Sequence, residues 1–179
     1  MRKALELLGI LDDVDIDWMA MNGTVRKIGA ETVLIRERTP IDSLYIVLDG
    51  KLSVFVGGSN GKHIATLLAG EILGEISFVD SHPPSASVVA MQDSEVFSIP
   101  REKLSAKLLK DQGFAARFYR AVATFLADRL YVTVSRYGYG SAQQDDVDQL
   151  QESSLDDIDL AAVRFDKLLR RLRGDYRTT

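Results

Sequence analysis

Apolar and polar positions change period twice along this chain, and the changes mark out its elements. Between residues 24 and 99, short runs rich in Val, Ile and Leu appear at Thr24–Ile28, Thr32–Ile35, Leu44–Leu48, Leu52–Val56, Ile64–Leu68, Ser85–Ala90 and Glu95–Ile99. Turn residues separate them every eight to twelve positions, which predicts short strands in a sandwich or barrel. Asp49-Gly50 reads as a two-residue hairpin between two of these runs, and Gly57-Gly58-Ser59-Asn60-Gly61 as a longer hairpin tip. Both turns predict antiparallel pairing.

Helical spacing flanks this region. Leu5, Leu8 and Leu11, then Ile16, Met19 and Ala20, predict one or two short helices over residues 4–22, with Asp12 or Asp13 as an N-cap. The helical period returns at 101–110 and continues from about 113 to 137. Phe114, Phe118, Val122 and Phe125 form one apolar stripe of this long helix. Tyr119, Ala123, Leu126, Leu130, Thr133 and Tyr137 form a second, stepping 4, 3, 4, 3, 4. A 3.5-residue repeat suits a coiled-coil seam, so the first stripe is expected to pack on the barrel and the second to meet the same helix of another copy, giving a homodimer through helix 113–137. The alternative is that both stripes are buried within one chain, under the C-terminal tail.

The tail divides in two. Residues 141–160 hold seven acidic and no basic side chains, which predicts a solvated linker. Residues 158–173 place Ile158, Ala162, Phe165, Leu169 and Leu172 on one face, with Arg164, Lys167, Arg170, Arg171 and Arg173 around it. Such a basic amphipathic helix either docks on an acidic partner or an anionic membrane surface, or folds back on its own domain or dimer mate. The organisation expected is a domain over 1–137, an acidic linker over 138–157 and a basic helix with its tail over 158–179.

With 179 residues, 46% of them hydrophobic, the chain is long enough for one well-filled core. It has no cysteine and only two histidines, His63 and His82, so thiolate metal sites are excluded and metal catalysis is a poor fit. Acidic residues interrupt any secretory apolar run near the start, and no stretch approaches a membrane span, so a soluble cytoplasmic protein is expected. The net charge of −4 leaves no basic face for duplex phosphates, so DNA is not expected as a partner.

The chemistry-bearing stretch is Gly70-Glu71-Ile72-Leu73-Gly74-Glu75-Ile76-Ser77-Phe78, followed by His82-Pro83-Pro84-Ser85-Ala86-Ser87-Val88. Gly74 can take backbone angles closed to other residues, so Glu75, Ile76 and Ser77 can turn successive N–H groups toward one point, a nest that suits an anion. A ligand-free reading also exists, with Gly74 as a structural turn and Glu75 capping nearby N–H groups.

Thr32-Val33-Leu34-Ile35-Arg36-Glu37, then Asp42 through Leu52, then this stretch, then the long helix, form an ordered set that resembles the cyclic nucleotide-binding domain of catabolite activator proteins, cyclic-nucleotide-dependent kinases and gated channels. The resemblance spans about residues 5–137. It implies a mainly β fold, an eight-stranded double-stranded β-helix jelly roll with flanking helices and a long C-terminal helix. It implies that Gly74, Glu75, Ile76 and Ser77 face a cyclic phosphate and a ribose hydroxyl, that Ser85, Ala86 and Ser87 lie by the phosphate and purine, and that Thr133 of the helix segment 127–133 contacts the base. Cyclic AMP or cyclic GMP is the ligand so implied.

Pro84 departs from the family pattern, because an arginine normally forks the cyclic phosphate there and proline has neither charge nor N–H. Losing a charged hydrogen bond costs about 1.5–3 kcal/mol, roughly ten- to a hundredfold in affinity. Either Arg36, Arg38, Lys51 or Lys62 reaches in instead, or the pocket has been abandoned or repurposed. Too little chain follows the long helix for a helix-turn-helix domain. The functional expectation is a stand-alone, non-enzymatic sensory module with weakened or altered ligand binding. A non-binding scaffold and a cupin-like metalloenzyme are the alternatives, the latter lacking clustered histidines.

Overall fold

The structure is a computed structural model that describes residues 9–138, 163 and 166–170. Helix α1 (Asp13–Asn22) precedes strands β1 (Thr24–Ile28), β2 (Val33–Ile35), β3 (Ser43–Asp49), β4 (Lys51–Val56), β5 (Lys62–Leu68) and β6 (Ile72–Leu73). A short helix α2 (Glu75–Asp80) leads to β7 (Ser87–Ala90), β8 (Ser94–Pro100), α3 (Arg101–Lys110) and the long helix α4 (Gln112–Gly138). Asp12 caps α1, its N–H donating to Asp15 Oδ2 at 2.8 Å. The expected residues Leu5 and Leu8 lie outside the described range.

The strands form two four-stranded antiparallel sheets, ordered β1-β8-β3-β6 and β2-β7-β4-β5. This is the jelly roll that the family resemblance implies. Seven strands fall on the apolar runs; the eighth, β6, has two residues, too short to leave a periodic signal.

Pairing corrects one reading. Residues Asp49-Gly50 do not close a hairpin, because β3 pairs with β6 and β8 whereas β4 pairs with β5 and β7. The turn is instead the corner where the chain leaves one sheet for the other. Gly50 has φ 100°, and a Cβ there would sit 2.1 Å from Ser94 Oγ, so the corner admits only glycine. The Gly57–Gly61 tip does join a paired hairpin, β4–β5.

Side-chain alternation divides the interior into two cores. Tyr45 and Val47 of β3 join Leu52, Leu67, Val88 and Val96 inside the barrel. Leu44, Ile46 and Leu48 face the other way, under the helices, with Ile16, Phe97 and Phe118. Both faces of β3 are therefore buried, which is why its sequence reads as an unbroken apolar run rather than an alternating one.

The first stripe of α4 is buried as expected: Phe114, Phe118, Val122 and Phe125 are each at most 2% exposed. On the second stripe Tyr119 and Leu130 remain 48% and 64% exposed. The side chain of Tyr137 lies outside the description. The described part of the tail folds back on its own domain: Leu168 is fully buried beside the helices, and Lys167 Nζ lies 2.6 Å from Asp13 Oδ2. Leu168, not a member of the predicted apolar face, is the deeper residue, with Leu169 partly buried next to it. Ile158, Ala162, Phe165, Leu172 and the 139–157 linker lie outside the described residues.

Arg117 clasps α1 to α4. Its Nε lies 2.7 Å from Asp15 Oδ2 and its Nη2 2.9 Å from Asp15 Oδ1, a two-pronged pair on a carboxylate that is 1% exposed. No described helix is long and apolar enough to cross a membrane.

Candidate functional site

Gly74 sits between β6 and α2 with φ 85° and ψ 1°, left-handed geometry. A Cβ added there would meet Ile41 Cδ1 at 2.6 Å and Ser43 O at 3.1 Å, so strain and space both demand glycine. The Gly74 carbonyl accepts the Phe78 N–H at 3.0 Å, which starts α2 and leaves the N–H groups of residues 75–77 outside the helix's own ladder, that of Glu75 turning to its own carboxyl.

Residues 74–77 border a cavity of about 280 Å³. Ile35, Val54, Ile64, Leu73 and Val88 make its apolar wall; Gly74, Glu75, Ile76 and Ser77 make one polar side. The loop from His82 through Ala86 rims it, and Arg129 enters from α4.

Glu75 is 2% exposed, and its Oε1 lies 2.6 Å from Arg129 Nη1. Arg129 also donates through Nη2 to the Ile72 carbonyl at 3.3 Å, lies 3.8 Å from Glu71 Oε2, and stacks over Phe125 at 4.5 Å. Burial pushes the Glu75 carboxyl above its usual range, while Arg129 and the residue's own N–H pull it down and Glu71 adds to the rise.

A second link joins α2 to the long helix. Phe78 packs edge-on to Phe118 at 5.7 Å. Arg101 holds the far end of α2, donating to Ser77 O at 2.7 Å and to Ser81 Oγ at 3.2 Å while covering the Phe78 ring.

Six of the predicted site residues, Gly74, Glu75, Ile76, Ser77, Ser85 and Ala86, line the cavity together with Pro84. Ser87 does not: it is 1% exposed, and its Oγ accepts the Glu37 N–H at 3.0 Å inside the sheet. Thr133 does not either, since its hydroxyl donates back to the Arg129 carbonyl at 2.8 Å, one turn earlier on an exposed face. None of Arg36, Arg38, Lys51 and Lys62 lines the cavity; all four are exposed.

The cation that does reach in is Arg129, which sequence reasoning did not single out. One signal existed. Position 129 continues the stripe Phe118, Val122, Phe125 at helical spacing, so a charge there falls on a buried face and calls for a buried partner.

His63 pairs its Nε2 with Thr66 Oγ1 at 3.2 Å and its ring with Phe55, whereas His82 stands at the cavity rim. The described residues hold no group of three or more potential metal ligands.

A family model described as cyclic nucleotide-binding domain matches residues 25–111. The cyclic AMP receptor protein of Thermus thermophilus is 40% identical over 63 residues, 34% of this chain and 29% of that one. The cAMP-dependent protein kinase regulatory subunit of Blastocladiella emersonii is 30% identical over 98 residues, 54% of this chain and 24% of that one. The chain thus spans under a third of the length of these two relatives. The crystal structure of a cyclic nucleotide-binding domain from Methylobacillus flagellatus superposes with a TM-score of 0.68 at 22% identity, over 79% of this chain and 85% of that one, a likeness of fold.

Proposed function

Since residues 25–111 form a domain of the cyclic nucleotide-binding family, we propose that the chain is a regulatory module in which a cyclic nucleotide, bound weakly, sets the position of the long helix. The observation that carries this reading is the buried Glu75–Arg129 pair, which ties the cavity floor to α4 at 2.6 Å. A guest that offers a hydroxyl to Glu75 competes for the oxygens Arg129 now holds. Rearranging that contact shifts α4, and the Phe78–Phe118 packing carries any movement of α2 to the same helix.

In this reading the cyclic phosphate faces the N–H groups of Ile76 and Ser77, near Ser85, and the base lies on the apolar wall. Pro84 supplies no charge, and the missing charged hydrogen bond lowers affinity roughly ten- to a hundredfold, from micromolar toward millimolar. Signalling proceeds without catalysis, in the cytoplasm, through a dimer formed by the exposed Tyr119–Leu130 stripe and through an effector protein. Calorimetric titration with cyclic AMP, cyclic GMP and a cyclic dinucleotide tests the reading; absence of binding by all three below millimolar concentration sinks it.

One observation favours a second reading, a scaffold that binds nothing: the Glu75 carboxylate is already satisfied by Arg129 and its own N–H. Under that reading Glu75→Gln alters local stability alone, with no nucleotide response to lose.

A further inference from the structure

The charged groups that line the cavity are Glu75, Asp80, His82 and Arg129. Glu75 and Arg129 neutralise one another at 2.6 Å, so with a neutral imidazole the lining keeps one surplus negative charge, on Asp80. An anionic guest meets that surplus. Protonating His82 removes it, and no other lining side chain adds positive charge.

His82 is held for this task. Its backbone N–H donates to Asp80 Oδ1 at 2.9 Å, and its Nδ1 lies 3.3 Å from Asp80 Oδ2, which leaves Nε2 to a guest. The ring is 81% exposed and stands on the rim two residues before Pro84, on the loop that borders the polar side of the cavity. Three other charges on the surrounding elements have partners of their own. Arg101 donates to Ser77 O and Ser81 Oγ, Glu71 lies by Arg129, and Arg38 lies 3.8 Å from Glu37.

We propose that His82, with Asp80 as its positioning residue, is the cation that receives the anionic group of a phosphate-bearing guest in this cavity. The proposal rests on the cavity being a nucleotide site. A cyclic phosphodiester keeps its single negative charge from pH 5.5 to 8, so it is the protein that titrates. Imidazole is the side chain that gains positive charge inside that window, and only its charged form attracts an anion, so binding strengthens as pH falls.

The test is calorimetric titration of the full chain with cyclic AMP at pH 5.5 and pH 8. Wild type is expected to bind more tightly at pH 5.5 than at pH 8, because only the protonated ring brings positive charge to the guest. His82→Gln is expected to bind weakly and equally at both pH values, His82→Lys tightly and equally at both, and Asp80→Asn to show a smaller ratio than wild type. Burial pushes the Glu75 carboxyl up from its ordinary range, and Glu75 and His63 are both retained in His82→Gln, so a pH ratio that survives in that variant belongs to another group and overturns the proposal. Equal wild-type affinity at the two pH values overturns it while leaving the nucleotide site standing. No binding at either pH removes the site and the proposal together. His82 is exposed, so its variants keep the fold, and an unchanged melting temperature verifies this.

Discussion

Arg129 Nη1 and Glu75 Oε1 stand 2.6 Å apart although 54 residues separate them in sequence. Removing Arg129 leaves a buried carboxylate without its counter-charge. Arg129→Ala is expected to cost about 2–4 kcal/mol in urea unfolding at pH 8, toward the low end of values for broken buried pairs because the arginine is 29% exposed. Burial already pushes the Glu75 carboxyl upward, so the stranded group takes a proton readily. The loss should therefore be smaller at pH 5 than at pH 8, and an equal loss at both would show that the charge is not what is stranded.

Gly74→Ala places a Cβ 2.6 Å from Ile41 Cδ1 in a left-handed residue. Backbone strain of about 1 kcal/mol and a displaced isoleucine together predict a destabilisation of about 2 kcal/mol. Thermal unfolding measures it. A neutral outcome would mean that the turn relaxes and the N–H arrangement after it is not fixed by this glycine.

Acid behaviour near the β4–β5 tip follows from Glu37. Its Oε2 accepts the N–H groups of Gly58 at 2.9 Å and Gly57 at 2.8 Å, which hold the carboxyl below its ordinary 4.5. A carboxyl depressed in the folded state adds stability that is fully present above its unfolded value and is lost as pH falls through the folded one. The hairpin tip should therefore loosen only below pH 4.5. NMR titration of the Gly57 and Gly58 amides should give a common midpoint under that value, and Glu37→Gln should abolish it.

Much of the barrel is readable from apolar period because strands bury side chains in alternation, and β3 is readable as a fully buried strand because both its neighbours are cores. The sheet assignment of the Asp49-Gly50 corner is not, since a local turn signal carries no information about which sheet the next strand joins. The cavity's glycine turn and rim are legible from residues 70–88, yet Ser87 and Thr133 lie off its lining, because Ser87 is turned to the Glu37 N–H across the fold and Thr133 to the Arg129 carbonyl one turn back. Arg129 and Asp15 share one lesson. Each is a charge on an otherwise apolar helical stripe, and each pairs across the fold, with Glu75 and with Arg117.

Phe118 is 1% exposed and touches Phe78 at 5.7 Å and Phe114 at 5.9 Å. Phe118→Ala should cost about 3–4 kcal/mol, whereas Phe118→Leu should cost less than half as much. Chemical denaturation of both variants decides whether this ring is the packing link between α2 and α4.

Dimerisation through the exposed stripe is open to a direct measurement. Sedimentation of the 19.8 kDa chain should give twice that mass at micromolar concentration, and Leu130→Glu should return it to one. A monomeric wild type discards the seam.

The Asp15–Arg117 clasp gives the long helix a fulcrum. Twelve residues, about 18 Å, separate it from the Arg129 grip, and a further nine residues carry the helix about 13 Å beyond that. Let the grip go while the clasp holds, and a tilt of about 10° would move residue 138 by about 5 Å, so that an ångström-scale loss of contact at one oxygen would be magnified along the helix.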